Sequence, residues 1–329
     1  MCIFVHKKTK NMIYPAGNQK YTKNLLLISK WLVLVLTYCF LAYKLFTFEH
    51  YAALWQHFQQ PNLLHYIWLL IVILLLPLNI FLETIKWQHL VAKSENISLK
   101  QALKAVLAGF STGFITPNRI GEMAGRMLYV SPGNRKAAIL YSFLNSLTQN
   151  YVIALVGIPA AILYLAALSG NAIADHTIYL ILVSLFVLFF TIFQFFIPTL
   201  LTSKFVTKKL QLNANIVRFS ISNLLYINAI SFVRFLVFSI QFYFLLLFFG
   251  VDITALQALI CIPTSYLLVT FTPSLALSEA AIRSSYAVTV IGFYAPQTAG
   301  IAFAGLTLWL LNFGIPMLFG NRLILKSRV

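Results

Sequence analysis

The stretch Phe219–Phe249, FSISNLLYINAISFVRFLVFSIQFYFLLLFF, is long enough to cross a membrane and contains a single charged residue, Arg234. A helix needs roughly 20 predominantly apolar residues to span the hydrocarbon core of a bilayer. Stretches of similar length and character recur along the chain: Leu25–Phe46, Ala137–Leu168, Ile178–Leu201 and Thr298–Gly320, with a sixth at Tyr66–Ile85 that contains Pro77 and Glu83. The sequence therefore predicts an all-α integral membrane protein with six transmembrane helices.

Composition and charge agree with this class. Of the 329 residues, 60% are apolar and only 9% are charged, whereas a soluble domain carries about a quarter charged residues. The net charge of +17 could indicate a nucleic-acid-binding protein, but the basic residues fall in alternate segments. They precede Leu25, follow Ile85, precede Phe219 and close the chain, while Thr47–His65, Ser169–Thr177 and Gly250–Gln257 contain none. The positive-inside rule then places both termini in the cytoplasm, and no nucleic-acid partner is expected.

The boundaries of the membrane domain follow from the same pattern. Residues 1–24 are basic and lack an early apolar region, so we expect the first span to be a retained anchor rather than a cleaved signal peptide. We predict a cytoplasmic N-terminal segment over 1–24, a single transmembrane domain over 25–322 and a cytoplasmic tail over 323–329, in a multi-pass protein of the bacterial inner membrane. The three scattered cysteines and six histidines have no metal-ligand spacing, so no metal or cofactor is expected.

Two further apolar regions are interrupted and too short to form spans. The region Ala102–Val130 is broken at Thr116–Arg119, and Ala255–Ile291 is broken at Thr272–Ser274. Each half is about 12 to 18 residues long, which is typical of a re-entrant piece. Non-helical backbone at membrane depth is tolerated only where protein or a watery cavity covers it. The pattern predicts two re-entrant helical hairpins whose breaks face the interior.

The two hairpins resemble each other at a nearly constant offset. Thr116-Pro117 recurs as Thr272-Pro273, and Gly157-Ile158-Pro159 recurs as Gly314-Ile315-Pro316. Between these pairs, four residues that follow the first break recur after the second: Glu122, Ala124, Arg126 and Tyr129 as Glu279, Ala281, Arg283 and Tyr286. The units, about 25–168 and 178–322, each hold three spans. An odd number of crossings makes the second unit enter from the opposite side, which predicts an inverted-topology repeat with hairpin tips that meet near the midplane.

The recurring residues could carry the function. Glu122, Arg126 and Tyr129 are spaced i, i+4 and i+7, so they share one helix face, and so do their counterparts after the second break. A charge near the membrane centre costs about 2.5–3.5 kcal/mol, which pairing of Glu with Arg would partly offset. One interpretation is a structural clasp in each hairpin. The other is that the arginines, with Arg119, bind an anionic headgroup, because guanidinium matches phosphate geometry and the helix N-termini after Pro117 and Pro273 favour anions.

The predicted spans contain few other charged residues. Arg234 lies midway along its span, where ionisable residues usually have a function, and its partner is either Glu279 or a bound phosphate. Glu83 and Lys86 are weaker candidates, because they lie beside Trp87 near the cytoplasmic end of their span, where snorkelling explains them. The chain has no His-Glu-x-x-His helix, nucleotide-binding loop or nucleophile elbow. We therefore expect a transporter-like protein rather than an enzyme.

The segment Gly109–Arg126, GFSTGFITPNRIGEMAGR, resembles the lysylphosphatidylglycerol synthase transmembrane family, a flippase-like domain, through the pattern Thr-Pro-x-Arg-Ile-Gly-Glu. The resemblance extends over Leu25–Arg322 and includes a looser pattern of a proline followed by Glu279-Ala280-Ala281. Asn118 stands where the family usually has glycine, and Ser274–Ser278 lacks the expected glycines. Because no soluble synthase domain follows, the resemblance implies translocation of a lipid rather than its synthesis.

We therefore predict a flippase-like protein that moves an anionic or amphipathic lipid, either a phospholipid or a polyprenyl-linked lipid. The candidate translocation site comprises residues of both hairpins and one span: Thr116, Pro117, Arg119, Glu122, Arg126, Tyr129, Arg234, Pro273, Glu279, Arg283 and Tyr286. One alternative is a membrane enzyme that processes a polyprenyl phosphate, although Glu-x-x-x-Glu and Ser-Arg-Ser patterns are absent. Another is a non-catalytic partner of a glycosyltransferase or synthase. Assembly as a homo-oligomer is compatible with each of these functions.

Overall fold

The computed structural model describes residues 63–114, 116, 118–169, 220–274 and 276–326, together with positions 181, 184–189, 191–192, 194 and 196. These residues form helices, turns and short connections, and none of them belongs to a strand. The helices between the gaps are α1 (Leu63–Val91), α2 (Leu99–Gly113), α3 (Glu122–Met127), α4 (Arg135–Ser169), α5 (Ile221–Phe248), α6 (Ala255–Phe271), α7 (Ala276–Ile291), α8 (Thr298–Trp309) and α9 (Ile315–Lys326). A 3-10 turn, Pro132–Asn134, precedes α4, and a π-helical turn, Leu310–Gly314, joins α8 to α9. The predicted all-α class is confirmed.

Within the described residues, four helical segments are long and apolar enough to cross a membrane: Leu63–Val91, Pro132–Ser169, Ile221–Phe248 and Thr298–Leu325. They coincide with four of the six spans that the sequence predicts, and Pro77 does not interrupt α1. The predicted span Leu25–Phe46 lies outside the described residues, and Ile178–Leu201 lies mostly outside them. The chain is thus a multi-pass helical membrane protein.

The helix ends gather in two groups, and the first of these is basic. The end of α3 lies beside the end of α9, where the Tyr129 hydroxyl donates to the Leu323 carbonyl at 3.4 Å. The connection that precedes α4 lies beside the connection that follows α1, where Ser131 Oγ donates to Glu95 Oε1 at 2.8 Å. The segments that meet here carry basic residues of the described chain: Lys93, Lys100, Lys104, Arg135, Lys136 and Arg322.

The opposite end is free of basic residues in the described segments that form it. There the α5–α6 connection meets the start of α8, and Gln297 Nε2 donates to Asp252 Oδ2 at 2.9 Å. The end of α4 lies beside the end of α7, where the Tyr164 ring contacts the rings of Phe293 and Tyr294 at centroid distances of 6.0 and 6.5 Å. Segments 249–254 and 291–300 contain no Lys or Arg. This asymmetry matches the positive-inside rule.

Helices α2 and α3 form a tightly packed hairpin that α9 covers. Thr112 Oγ1 of α2 donates to the Gly121 carbonyl at 2.7 Å. A Cβ atom on Gly121 would lie 2.2 Å from the Thr112 carbonyl oxygen, and one on Gly320 of α9 would lie 1.9 Å from the Leu107 carbonyl oxygen. Only glycine permits helix backbones to approach so closely.

The tip of this hairpin contacts the tip of the second hairpin, which α6 and α7 form. The Asn118 amide donates to the Ser274 carbonyl at 2.8 Å, and the Ser274 amide donates to Asn118 Oδ1 at 2.8 Å. Asn118 and Arg119 both have left-handed backbone conformations, with φ of 48° and 58°. Asparagine tolerates this conformation, but arginine adopts it at a cost, and such strain is typical of functional sites.

The buried apolar residues in the described part of the chain form two clusters, one beside each hairpin. The first includes Phe242 and Ile291 near α6 and α7, and the second includes Trp87 and Tyr141 near α2 and α3. Aromatic residues associated with both clusters, Tyr266 from the first and Phe110 and Phe313 from the second, line one polar cavity. The cavity therefore lies where the two apolar cores adjoin.

Candidate functional site

A polar cavity of about 330 Å³ lies where the hairpin tips meet. The first hairpin contributes Asn118, Arg119 and Glu122 to its wall, and the second contributes Thr272, Ser274, Glu279 and Arg283. Polar residues of the long helical segments also line the wall: Asn79, Glu83, Asn145, Ser146, Gln149, Asn150, Arg234 and Asn312. Polar side chains inside long apolar helices are costly in a membrane and usually mark a functional interior.

Glu83 is the centre of the polar network. Its Oε1 accepts from Arg126 Nη2 at 2.7 Å and from Asn145 Nδ2 at 2.6 Å, and its Oε2 lies 2.8 Å from Arg234 Nη1. Lys86 Nζ approaches the same Oε2 at 3.8 Å. One carboxylate of α1 thus joins side chains of α3, α4 and α5.

The interpretation of Glu83 and Lys86 as interfacial residues is wrong. Glu83 is only 2% exposed and Lys86 is fully buried. The Lys86 ammonium donates to the Asn145 carbonyl at 2.9 Å and to Ser231 Oγ at 3.1 Å. The reason is that Asn79, Glu83 and Lys86, spaced i, i+4 and i+7, share a face of α1 that packs against α4 and α5 instead of facing the membrane surface.

Arg119 connects the two hairpins through charge. Its Nε lies 3.4 Å from Glu122 Oε1 in its own hairpin and 3.7 Å from Glu279 Oε2 in the other. Its guanidinium also lies 3.8 Å from the centroid of the Phe313 ring, in a cation–π contact. The left-handed backbone of Arg119 directs its side chain towards these partners. The contacts therefore offset the cost of that backbone conformation.

The two Glu-x-x-x-Arg pairs that the sequence singles out are both formed. Arg126 Nη2 lies 3.0 Å from Glu122 Oε2, and Arg283 Nη2 lies 3.1 Å from Glu279 Oε1. The arginines nevertheless have different surroundings. The Arg126 side chain is 2% exposed behind the cavity wall, where it also contacts Glu83, whereas the Arg283 side chain is 18% exposed on the wall itself. Arg283 is the repeat-related arginine that a molecule in the cavity would contact.

Arg234 belongs to the same site, but its carboxylate partner differs from the one expected. The partner is Glu83 rather than Glu279. Its Nε also donates to Asn79 Oδ1 at 2.8 Å, and its Nη1 donates to Gln149 Oε1 at 3.3 Å. The network continues beyond Arg234, since Asn79 Nδ2 donates a hydrogen bond to Asn312 Oδ1. These contacts connect Arg234 of α5 to both α1 and α4.

The remaining candidate residues lie at the edges of the site or outside it. Thr116 Oγ1 accepts from the Gly121 amide at 2.7 Å and so shapes the first tip. The Tyr286 hydroxyl does not line the cavity, but it lies 2.9 Å from Oγ1 of Thr272, which does. Tyr129 lies at the basic end, Pro273 is exposed and absent from the cavity wall, and Pro117 lies outside the described residues.

Sequence reasoning missed the polar residues of the long helices. A signal was present, because Asn79 and Glu83 in α1 and Asn145 and Gln149 in α4 each stand four residues apart within an apolar helix. Such pairs share one face and predict a polar stripe that must avoid lipid. Most of these residues are uncharged, so the pattern of charged residues does not reveal them.

The charges of the network favour an anion. Five cationic side chains (Lys86, Arg119, Arg126, Arg234 and Arg283) meet three carboxylates (Glu83, Glu122 and Glu279). On the cavity wall, the buried Arg283 Nε also lacks a hydrogen-bond partner. An unsatisfied buried donor costs about 1–3 kcal/mol, so an acceptor-rich ligand would be stabilised here. Among the described residues, no group of His, Cys, Asp and Glu side chains could hold a metal ion.

Comparison with known proteins places the chain in a family. No curated protein and no solved structure matches it. The resemblance noted at Gly109–Arg126 is confirmed over nearly the whole chain, since the family model described as Lysylphosphatidylglycerol synthase TM region matches residues 26–320. This protein therefore belongs to the Lysylphosphatidylglycerol synthase TM region family.

Proposed function

We propose that the protein is a flippase-like transporter that moves an anionic or amphipathic lipid across the bacterial inner membrane. The observation that carries this proposal is the polar cavity between the hairpin tips, with Arg119, Arg234 and Arg283 on its wall. The headgroup would enter this cavity while the acyl chains stay in the surrounding lipid.

The energetics support a transport role for the cavity. Each charge at the membrane centre costs about 2.5–3.5 kcal/mol on insertion scales, and this chain places eight charged side chains in one network. The same polar environment would lower the cost of carrying a headgroup through the hydrocarbon core. The excess of two cations favours a phosphate-containing headgroup, which guanidinium groups bind in a matching geometry.

We further propose the inverted-topology repeat with six transmembrane helices, two re-entrant hairpins and cytoplasmic termini as the frame for this transport. Three features support it: the Glu122–Arg126 and Glu279–Arg283 pairs have nearly equal distances, the two tips share hydrogen bonds, and the basic residues gather at one end. In inverted repeats the substrate site lies where the two units meet, which corresponds here to the tip contact.

A transporter fits the carboxylates better than an enzyme does. Glu83, Glu122 and Glu279 each have an arginine nitrogen within 3.1 Å. A carboxylate held in this way is a poor general base or nucleophile, because the guanidinium stabilises its charge. Release of phosphate from a polyprenyl phosphate by the purified protein would instead support the enzyme alternative.

The test is lipid exchange in vesicles. The protein is reconstituted into phosphatidylglycerol-containing vesicles with a trace of headgroup-labelled fluorescent phosphatidylglycerol, and external dithionite bleaches the label in the outer leaflet. We expect the protein to expose the inner-leaflet label as well. The double variant Glu279→Gln/Arg283→Gln removes one acidic and one basic side chain from the cavity wall, and with them the ion pairs of Glu279 with Arg283 and Arg119, without changing the net charge. It should slow exchange at least tenfold.

The matched control is Asp252→Asn/Lys93→Gln, which removes one acidic and one basic residue away from the cavity. It should exchange lipid at the wild-type rate. If the cavity variant folds and also exchanges at the wild-type rate, the assignment of the translocation site to the central cavity is wrong.

A further inference from the structure

A second polar groove lies at the basic end of the molecule, between the start of α2 and the start of α4. Its volume is about 570 Å³, and its wall includes Lys100, Lys104 and Arg135. It shares no lining residue with the central cavity. The groove is therefore a separate feature, and an inference about it does not depend on the proposed transport.

The cations of this groove are not neutralised within the described residues. Lys100, Lys104 and Arg135 form no ion pair there, and Arg135 Nε is buried without a hydrogen-bond partner. Glu95 is the acidic residue on the groove wall, and its carboxylate is already engaged. It accepts from the Ser131 hydroxyl at 2.8 Å and the Ser131 amide at 3.0 Å. With three cations and one carboxylate on its wall, the groove carries a net charge of +2.

Glu95 does not change this balance near neutral pH. Burial raises its pKa, but hydrogen bonds from Ser131 and Asn134 outweigh that effect and lower the pKa from its ordinary value. The carboxylate is therefore ionised and serves to hold the turn before α4 against the end of α1. Even with this negative charge counted, the groove favours an anionic ligand.

An apolar groove of about 640 Å³ runs along the neighbouring face of α2. Leu99, Leu103 and Leu107 line it at intervals of four residues, opposite Phe81 of α1 and Phe319 of α9. Leu99, Phe81 and Phe319 are 43%, 47% and 61% exposed. Because Leu99 and Leu103 directly precede Lys100 and Lys104, α2 presents an apolar face and a basic face side by side. The basic groove lies at the end of the molecule, and the apolar groove extends away from that end along α1 and α2.

We propose that this pair of grooves binds one anionic phospholipid from the leaflet at the basic end, with its phosphate on Lys100, Lys104 and Arg135 and an acyl chain in the apolar groove. The charge selects an anionic headgroup, and basic pockets between helices at the cytoplasmic surface suit such lipids. The adjoining apolar groove favours a lipid over a free anion, because a free anion has no acyl chain to pack against Leu99, Leu103 and Phe319.

Native mass spectrometry of the full chain in neutral detergent, titrated with dioleoyl-phosphatidylglycerol, tests the proposal. The variant Lys100→Gln/Lys104→Gln should weaken lipid binding at least tenfold, because each basic residue near a membrane surface contributes about 1 kcal/mol. The control Lys93→Gln/Arg322→Gln removes equal charge at the same end but outside the groove, and it should bind as the wild type does. The variant Lys100→Arg/Lys104→Arg keeps the charge and should retain binding.

The apolar half of the site has its own pair of variants. Leu103→Asn should weaken lipid binding, whereas Leu70→Asn, on an exposed part of α1 outside the groove, should not. Equal weakening by the groove and control variants would show non-specific attraction and overturn the proposal. So would equally tight binding of phosphatidylcholine, or displacement of the lipid by inorganic phosphate at equal concentration, which would indicate a free-anion site.

Discussion

Replacement of Glu83 by glutamine would test whether the polar network stabilises the helix arrangement. The wild-type carboxylate lies 2.7 Å from Arg126 and 2.8 Å from Arg234, and Lys86 is 3.8 Å away. Glutamine has nearly the same shape and keeps a carbonyl oxygen that can accept from Asn145. The substitution therefore removes charge while changing packing little.

The expected cost is large because the Glu83 side chain is only 3% exposed. Removal of one partner from a buried ion pair typically costs about 3–5 kcal/mol, since the other charge remains buried without compensation. Here three cations lose their shared counter-ion, so we expect Glu83→Gln to lower the free energy of unfolding by about 3 kcal/mol or more. The exposed control Asp252→Asn should change it by less than about 0.5 kcal/mol.

The measurement is equilibrium unfolding in mixed micelles by titration with sodium dodecyl sulfate, followed by far-ultraviolet circular dichroism. A double-mutant cycle with Arg234→Gln adds a second criterion. Because Arg234→Gln removes one of the stranded cations, the double variant should be more stable than the sum of the two single changes predicts. Wild-type stability of Glu83→Gln, or simple additivity of the two changes, would refute the view of Glu83 as the centre of the network.

Three other predictions concern local structure. Gly320→Ala should destabilise the protein by about 2 kcal/mol or more because its Cβ would overlap a backbone carbonyl of α2, whereas Gly133→Ala, with open space around it, should unfold at the wild-type temperature in micelles. Asn118→Ala should lower thermal stability more than Asn118→Gly, because both variants lose the side-chain bond to Ser274 but only alanine strains the left-handed backbone; equal melting temperatures would contradict this. The lowered pKa of Glu95 means that its contribution to stability is present above its ordinary value of 4.5 and disappears as the pH falls through the lower folded-state pKa. Glu95→Ala should therefore melt below the wild type at pH 7 and approach it in acid, and a gap that stays constant with pH would exclude this linkage.

The features that could be predicted from the sequence depend on neighbours along the chain. The four described spans follow from runs of apolar residues, and the two hairpins follow from breaks at Thr116–Arg119 and Thr272–Ser274. The Glu122–Arg126 and Glu279–Arg283 pairs follow from i, i+4 spacing. Each of these is a local rule of helix geometry, so one sequence is enough to apply it.

Which side chains join the polar network depends on which helix faces pack against each other. Glu83 contacts Arg126 and Asn145, which stand 43 and 62 positions away in the chain. Arg234 of α5 is still further away in the sequence. Hydropathy places Glu83 near the end of a span, but the rotation of α1 against α4 and α5 turns it inwards. Side-chain contacts between helices depend on packing over long sequence separations, which local periodicity does not encode.

The sequence by itself determined the membrane class, the family pattern, the asymmetry of charge and the two broken hairpins, because hydrophobicity, proline breaks and helical period act locally. Only the tertiary structure decided that Arg126 is closed off while Arg283 faces the cavity, and that Glu83 rather than Glu279 pairs with Arg234. The physical reason is that a buried charge takes its partner from whichever helix packs against it, and that choice is made by the packing of the whole molecule.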